Sequence, residues 1–258
     1  MTLPLLLGWL RRAQGHPGTD RLMLRGSLVT RALCGPSRPV ADVDYLVQGG
    51  FDPDALARLA REVADRPDAG THMTLLRTEV IWAETKFPGV RAHLEGAETG
   101  GEGQAFQVDF AYGDPTVQAS VDLPISGVGI VRACAPETLW AWKLHGLVEF
   151  GPGRWRAKDL YDLWLLQTHV PLGLEVLPRA VRLAFSSRDT ALSELDDLCE
   201  REVWGCSFSN GRKWRAFCRR YGMEADFLAV RDGVRALVRQ IRLYGPAAEE
   251  TGQAGSPG

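Results

Sequence analysis

The sequence has little with which to build a soft-ligand metal site or a disulfide framework. Its five cysteines, Cys34, Cys134, Cys199, Cys206 and Cys218, contain no C-x-x-C pair, and its five histidines show no H-x-x-x-H spacing. Both patterns argue against structural zinc and against disulfide staples. An excess of charge is also missing: 30 Lys and Arg against 32 Asp and Glu leave a formal net charge of −2, so the whole chain exerts no general pull on nucleic acid. The local exception is the basic run GRKWRAFCRRYG, residues 211–222. No apolar stretch reaches the roughly 20 residues of a membrane span. The N-terminal run LPLLLGWL, residues 3–10, is followed rather than preceded by its arginines and lacks a small-residue cleavage site, so it reads as a short amphipathic helix. A cytoplasmic location without membrane contact is expected. Internal repeats are absent too, while 45% hydrophobic and 24% charged residues exclude a disordered or fibrous chain.

At 258 residues the chain is long enough for two packed lobes. RLMLRG reads as a strand entering a Gly-Ser turn, LVTRALCG as two helical turns closed by Gly35, and ADVDYLVQGG as a strand. In FDPDALARLAREVADR, Asp52 is placed as N-cap and Pro53 at the first helical position, with Leu56, Leu59, Ala60 and Val63 at helical spacing. Four β-type stretches follow, THMTLLRT, VIWAETKF, VRAHLEG and FQVDFAYG, with EGAETGGEGQ as a flexible loop. From Pro136 onward helical patterns dominate. These readings give an α+β protein: a core lobe over residues 1–132 with a mixed sheet, an all-helical lobe over 133–245 that completes a cleft, and a disordered tail over 246–258.

Chemistry concentrates where Gly26-Ser27 precedes Asp42-x-Asp44 by fifteen residues. Residues i and i+2 of a strand share a face, so the two carboxylates stand side by side and repel one another. A hard divalent cation such as Mg²⁺, which takes oxygens from one or two carboxylates plus substrate phosphates, resolves that repulsion. The glycine lets backbone approach a polyanion, and free N–H groups opening the next helix bind phosphate oxygens. Together they suggest metal-assisted nucleotidyl transfer. The plainer alternative is a turn followed by a strand end carrying two solvated aspartates.

Gly26-Ser27 with Asp42-x-Asp44 resembles the first motif of the DNA polymerase β-like nucleotidyltransferase superfamily. The stretch Pro136 to Leu166, with Lys143-Leu144-His145-Gly146 and Arg156-Ala157-Lys158-Asp159-Leu160-Tyr161-Asp162, resembles more specifically the AbiEii/AbiGii toxin branch, which includes the tRNA-modifying MenT-type toxins. The sequence departs from that pattern at Val40, where a hydroxyl residue is usual after the matching Arg38, and at Gly146, where alanine is usual. The resemblance implies a polymerase β-like fold, with Asp42 and Asp44 holding Mg²⁺ and Gly26, Ser27, Arg38 and Lys143 at the NTP. Asp109, which alternation places with Gln107 on the polar face of its strand, would be the general base. Asp159 is the candidate of its helix for the cleft, with Asp162 one turn away. On spacing alone, Lys143 could equally pair with Asp159 or Asp162, Asp109 could be an exposed strand aspartate, and His72, His93 and His145 read as structural. The implied activity is NMP transfer from an NTP to a hydroxyl, most readily a tRNA 3′ end, by a toxin with a cognate antitoxin. A small-molecule or protein hydroxyl, or a non-catalytic nucleotide-binding protein, remain the alternatives. In KWRAFCRRYG, Trp214, Phe217 and Tyr221 form a stripe that reads first as core, with Lys213, Arg219 and Arg220 available to RNA phosphates.

Overall fold

The structure is a computed structural model and describes residues 3–35 and 37–243. The N-terminal apolar run folds as α1 (Leu3–Ala13), burying Leu5, Leu6, Trp9 and Leu10. A 3₁₀ turn at Pro17–Thr19 leads into β1 (Leu22–Arg25), α2 (Ser27–Cys34) and β2 (Asp42–Val47). Next come α3 (Pro53–Asp65), β3 (Thr71–Ile81), β4 (Gly89–Glu98), β5 (Gln104–Tyr112) and a hairpin of β6 (Val121–Ile125) and β7 (Gly129–Ala133). The remaining elements are helical: α4 (Pro136–Val148), α5 (Ala157–His169), α6 (Leu177–Ser186), α7 (Glu194–Glu200), α8 (Phe208–Tyr221) and α9 (Phe227–Leu243).

The strands form one mixed seven-stranded sheet in the order β3-β4-β5-β2-β1-β7-β6. At its centre β2 runs antiparallel to β1 and parallel to β5. Register assigns the faces. Tyr45 lies opposite Phe110 and Val43 opposite Val108, whereas Asp44 lies opposite Asp109 and Asp42 opposite Gln107. The apolar set packs under the N-terminal helices: the Tyr45 and Phe110 rings stack at 5.7 Å, and Trp9 of α1 meets Phe110 edge-on at 6.5 Å. The aspartates therefore occupy the opposite face, because side chains alternate across the pleat.

In the helical part, Trp155 is fully buried against Trp204, Trp214 and Phe227, with ring centroids 5.4 to 6.2 Å away. That cluster fixes the loop before α5 onto α8 and α9. Aromatic pairs of this kind add to the stabilisation from burial alone.

The α+β class with a mixed sheet and a helical second half is as expected. Two local readings change. VIWAETKF is not a separate strand: β3 runs through Ile81, then the chain reverses at Trp82, which has φ 56°, and Thr85 N–H donates to the Trp82 carbonyl at 2.9 Å. The β6–β7 hairpin and α7 had no counterpart in the sequence reading, since both are short. The disorder expected for 246–258 lies outside the described residues. Asp52 caps α3 as its position suggests, accepting from the Ala55 N–H at 2.8 Å. Asp52→Ala is expected to lower unfolding free energy by about 1 kcal/mol in urea titrations, as for other N-caps.

Candidate active site

The site begins at the junction of β1 and α2. Gly26 has φ 76° and ψ −151°, and a Cβ placed on it would lie 2.1 Å from Asp44 Oδ2. Only glycine permits the backbone to pass this close to the carboxylate. Ser27 opens α2, and its buried Oγ has no hydrogen-bond partner. No side chain caps the helix either. An uncapped helix start beside an unsatisfied hydroxyl is a ready place for phosphate oxygens.

Asp42 and Asp44 are both half-buried, on one face of β2. Burial raises the Asp44 carboxyl above its ordinary range, the Asp42 charge raises it further, and Arg25 opposes them. Asp109 adds to the upward push and Lys143 to the downward one. The repulsion expected from spacing is thus present at Asp44. Among the described residues no group of three or more His, Cys, Asp and Glu side chains could by itself hold a metal ion. The donor set is instead two aspartates beside an uncapped helix start and an unpartnered hydroxyl, which fits an oxygen-seeking divalent cation that shares its ligands with a nucleotide.

Asp109 is buried and in register with Asp44. Arg91 of β4 grips it through two bonds, Nε to Oδ1 at 2.8 Å and Nη2 to Oδ2 at 2.7 Å. On the other side, Arg25 lies opposite Asp44, under a bond to buried Asp114 and 4.9 Å from the Trp142 ring centroid. Asp114 also receives a bond from Arg188, just beyond α6, and so ties the sheet to the helical half.

A second cluster stands on the helical side. Asp162, 1% exposed, accepts a fork from Arg38 at 3.0 and 2.8 Å and a bond from Lys143 Nζ at 2.6 Å. Burial works against its charge, but Lys143 and Arg38 overcome this and hold the carboxyl below the usual carboxylate range. Asp159 instead turns to Arg156, with Nε to Oδ2 at 2.7 Å in an ion pair outside hydrogen-bond geometry. Gly146 makes room for that pair: a Cβ there would lie 2.3 Å from Arg156 Nη2 and 3.5 Å from Asp159 Oδ2.

The structure therefore sets Asp42, Asp44 and Asp109 on one face of the sheet, with Gly26 against Asp44 and Ser27 opening the adjoining helix, and joins Arg38 to Lys143 through Asp162. Asp159 lies one turn away with its own partner. Arg25, Arg91 and Asp114 escaped the sequence reading. Arg25 could have been suspected from its place just before Gly26, and Arg91 from alternation in VRAHLEG, which sets it on the polar face.

A family model for the nucleotidyl transferase AbiEii toxin of type IV toxin–antitoxin systems matches residues 10–235. The chain belongs to the AbiEii family. This member is accordingly a nucleotidyltransferase of a toxin family, with a nucleotide as substrate and an antitoxin as the partner that such a system entails. No curated protein matches. Among solved structures, JHP933 from Helicobacter pylori is similar with a TM-score of 0.52 at 16% identity, over 93% of this chain and 90% of that one. A second H. pylori structure, of a protein assigned as a nucleotidyltransferase, gives the same score and identity over 93% of both chains. At that identity the likeness concerns the fold. No helix among the described residues is long and apolar enough to cross a membrane.

Asp162→Asn leaves two buried cations without their counter-charge and should cost about 3–5 kcal/mol at neutral pH, read by urea unfolding. A lowered folded-state pKa means that the contribution of Asp162 is complete above its unfolded value of about 4 and is lost as pH falls through the folded value. The gap between variant and wild type should therefore narrow in acid.

Proposed function

We propose that this AbiEii member transfers NMP from an NTP to a hydroxyl at the 3′ end of tRNA, using Mg²⁺, in the cytoplasm where both substrates are found. The observation that carries the transfer reading is the row of Asp42, Asp44 and Asp109 beside an orphaned Ser27 Oγ. In it, Ser27 and the first N–H groups of α2 hold triphosphate oxygens. Asp42 and Asp44 would hold Mg²⁺, whose Lewis acidity polarises the α-phosphate and offsets charge on the leaving pyrophosphate.

Asp109 takes the proton of the attacking hydroxyl. The acceptor oxygen then bonds to the α-phosphorus, the bond to the bridging oxygen breaks, and its electron pair leaves on pyrophosphate. Arg91 aims the Asp109 carboxylate through the two bonds it donates. Arg38 and Lys143, held by Asp162, set positive charge on the helical side for the phosphates. Asp159 with Arg156 flanks the acceptor side. The tRNA acceptor rests on the resemblance to MenT-type toxins and on the basic run of α8.

Purified protein incubated with Mg²⁺ and each α-labelled NTP, offered bulk tRNA, then cell protein, then aminoglycosides, tests the proposal. Label on tRNA that is absent with Asp42→Asn/Asp44→Asn is the expected result. Label on protein or aminoglycoside instead replaces the acceptor and keeps the chemistry, while no label on any acceptor contradicts the reading. Asp109→Asn should lower kcat by about 10²–10⁴-fold and leave NTP affinity near wild type, as for loss of a general base.

A further inference from the structure

We infer that the exposed face of α8 and the loop leading into α5 form a binding surface for single-stranded nucleic acid. This inference rests on the reading that the acceptor is RNA. Helix α8 carries five basic residues and no acidic one, in a chain whose net charge is −2. Arg212, Arg215 and Arg219, at i, i+3 and i+7, form one exposed stripe on the side away from buried Trp214. Among the described residues none of the three pairs with a carboxylate. Most arginines of the flanking segments behave differently: Arg201 pairs with Asp197, Arg231 and Arg235 with Asp232, and Arg242 with Asp196, while Arg239 bonds the Cys199 carbonyl. A solvated helix face ordinarily mixes its charges, so an unpaired run of one sign leaves a field suited to a polyanion.

Charge alone would also suit an acidic protein; the aromatic rings favour nucleic acid. Phe208, at the start of α8, is 77% exposed and lies 5.2 Å from the Arg212 guanidinium, and Phe150 is 49% exposed with Arg156 at 5.8 Å. Each pair offers a flat ring and a flat cation outward, and such faces take stacked bases while neighbouring arginines take phosphates. The two pairs are physically joined, because Asn210 Nδ2 donates to the Pro152 carbonyl at 3.0 Å and Lys213 bonds the Trp155 carbonyl. The same loop runs into α5, where Arg156 meets Asp159 one turn before Asp162. A strand lying on this surface therefore ends beside the helical wall of the active site.

The test uses the full chain without NTP or divalent cation, and fluorescence anisotropy of a 5′-fluorescein-labelled single-stranded RNA of about 12 nucleotides, a length within the usual site sizes. Arg212→Glu/Arg215→Glu/Arg219→Glu should weaken binding at least about tenfold, and should lessen the slope of log K against log[salt] by about 2, from roughly 0.7 per lost phosphate contact. Phe208→Ala should weaken binding about fivefold or more with the slope unchanged, the mark of lost stacking. Circular dichroism checks the fold, and should the triple reversal unfold, Arg215→Gln/Arg219→Gln replaces it, with the slope lowered by about 1.4. RNA affinity and slope that do not move in folded variants overturn the inference and leave this face to an acidic protein. That outcome with intact transfer to tRNA spares the proposed function; lowered RNA affinity beside a wild type that labels no RNA supports the surface and sinks the acceptor.

Discussion

Like charges held in register across neighbouring strands are the constraint on which this structure turns. Arg25, Asp44, Asp109 and Arg91 follow one another across β1, β2, β5 and β4 as directly paired positions. The order is plus, minus, minus, plus. Two arginines thus bracket two aspartates, and a row that would fly apart in a low-dielectric setting is balanced at its ends. Asp42, two residues from Asp44 on the same face, is the charge left over. A sheet face with one carboxylate more than its arginines balance, next to an unsatisfied serine hydroxyl, is the feature on which the proposed binding of a cation and a phosphate rests.

The rest of the architecture keeps that row in place. Gly26 must lack a side chain because the Asp44 carboxylate occupies the space a Cβ would take. Asp114 joins β1 to the end of α6 by holding Arg25 and Arg188 at once. Asp162 joins the segment before β2 to α4 and α5 by holding Arg38 and Lys143. Each of these carboxylates is buried and doubly bonded to cations, so removal of one partner strands a charge without water. The helical half is therefore fastened to the aspartate-bearing face of the sheet by ion pairs as well as by its apolar core.

Much of this is legible in the sequence. Alternation put Asp42 with Asp44 and put Asp109 on the polar face, since period 2 survives any uncertainty about strand order. The cap at Asp52 and Pro53 was equally plain, because capping is local. What could not be read depends on which strands become neighbours. Arg91 and Asp109 are eighteen residues apart, and Arg25 and Asp114 eighty-nine, so their pairing is a product of topology. Spacing could not choose between Asp159 and Asp162 as the partner of Lys143 either, since both lie on one helix a turn apart; packing of α4 against α5 made the choice. The turn at Trp82 was hidden for a different reason. A tryptophan with positive φ breaks the rule that such positions belong to glycine or asparagine, so from sequence alone VIWAETKF reads as more strand.

The claim that Asp42 and Asp44 share a divalent cation with a triphosphate is tested most directly by calorimetric binding of an NTP analogue that cannot be cleaved at the α-phosphate, with and without Mg²⁺. Affinity that rises strongly with Mg²⁺ in the wild-type chain and loses that dependence in Asp42→Asn/Asp44→Asn is the expected result. Equal affinity with and without the cation, or a dependence untouched by the double substitution, would contradict it.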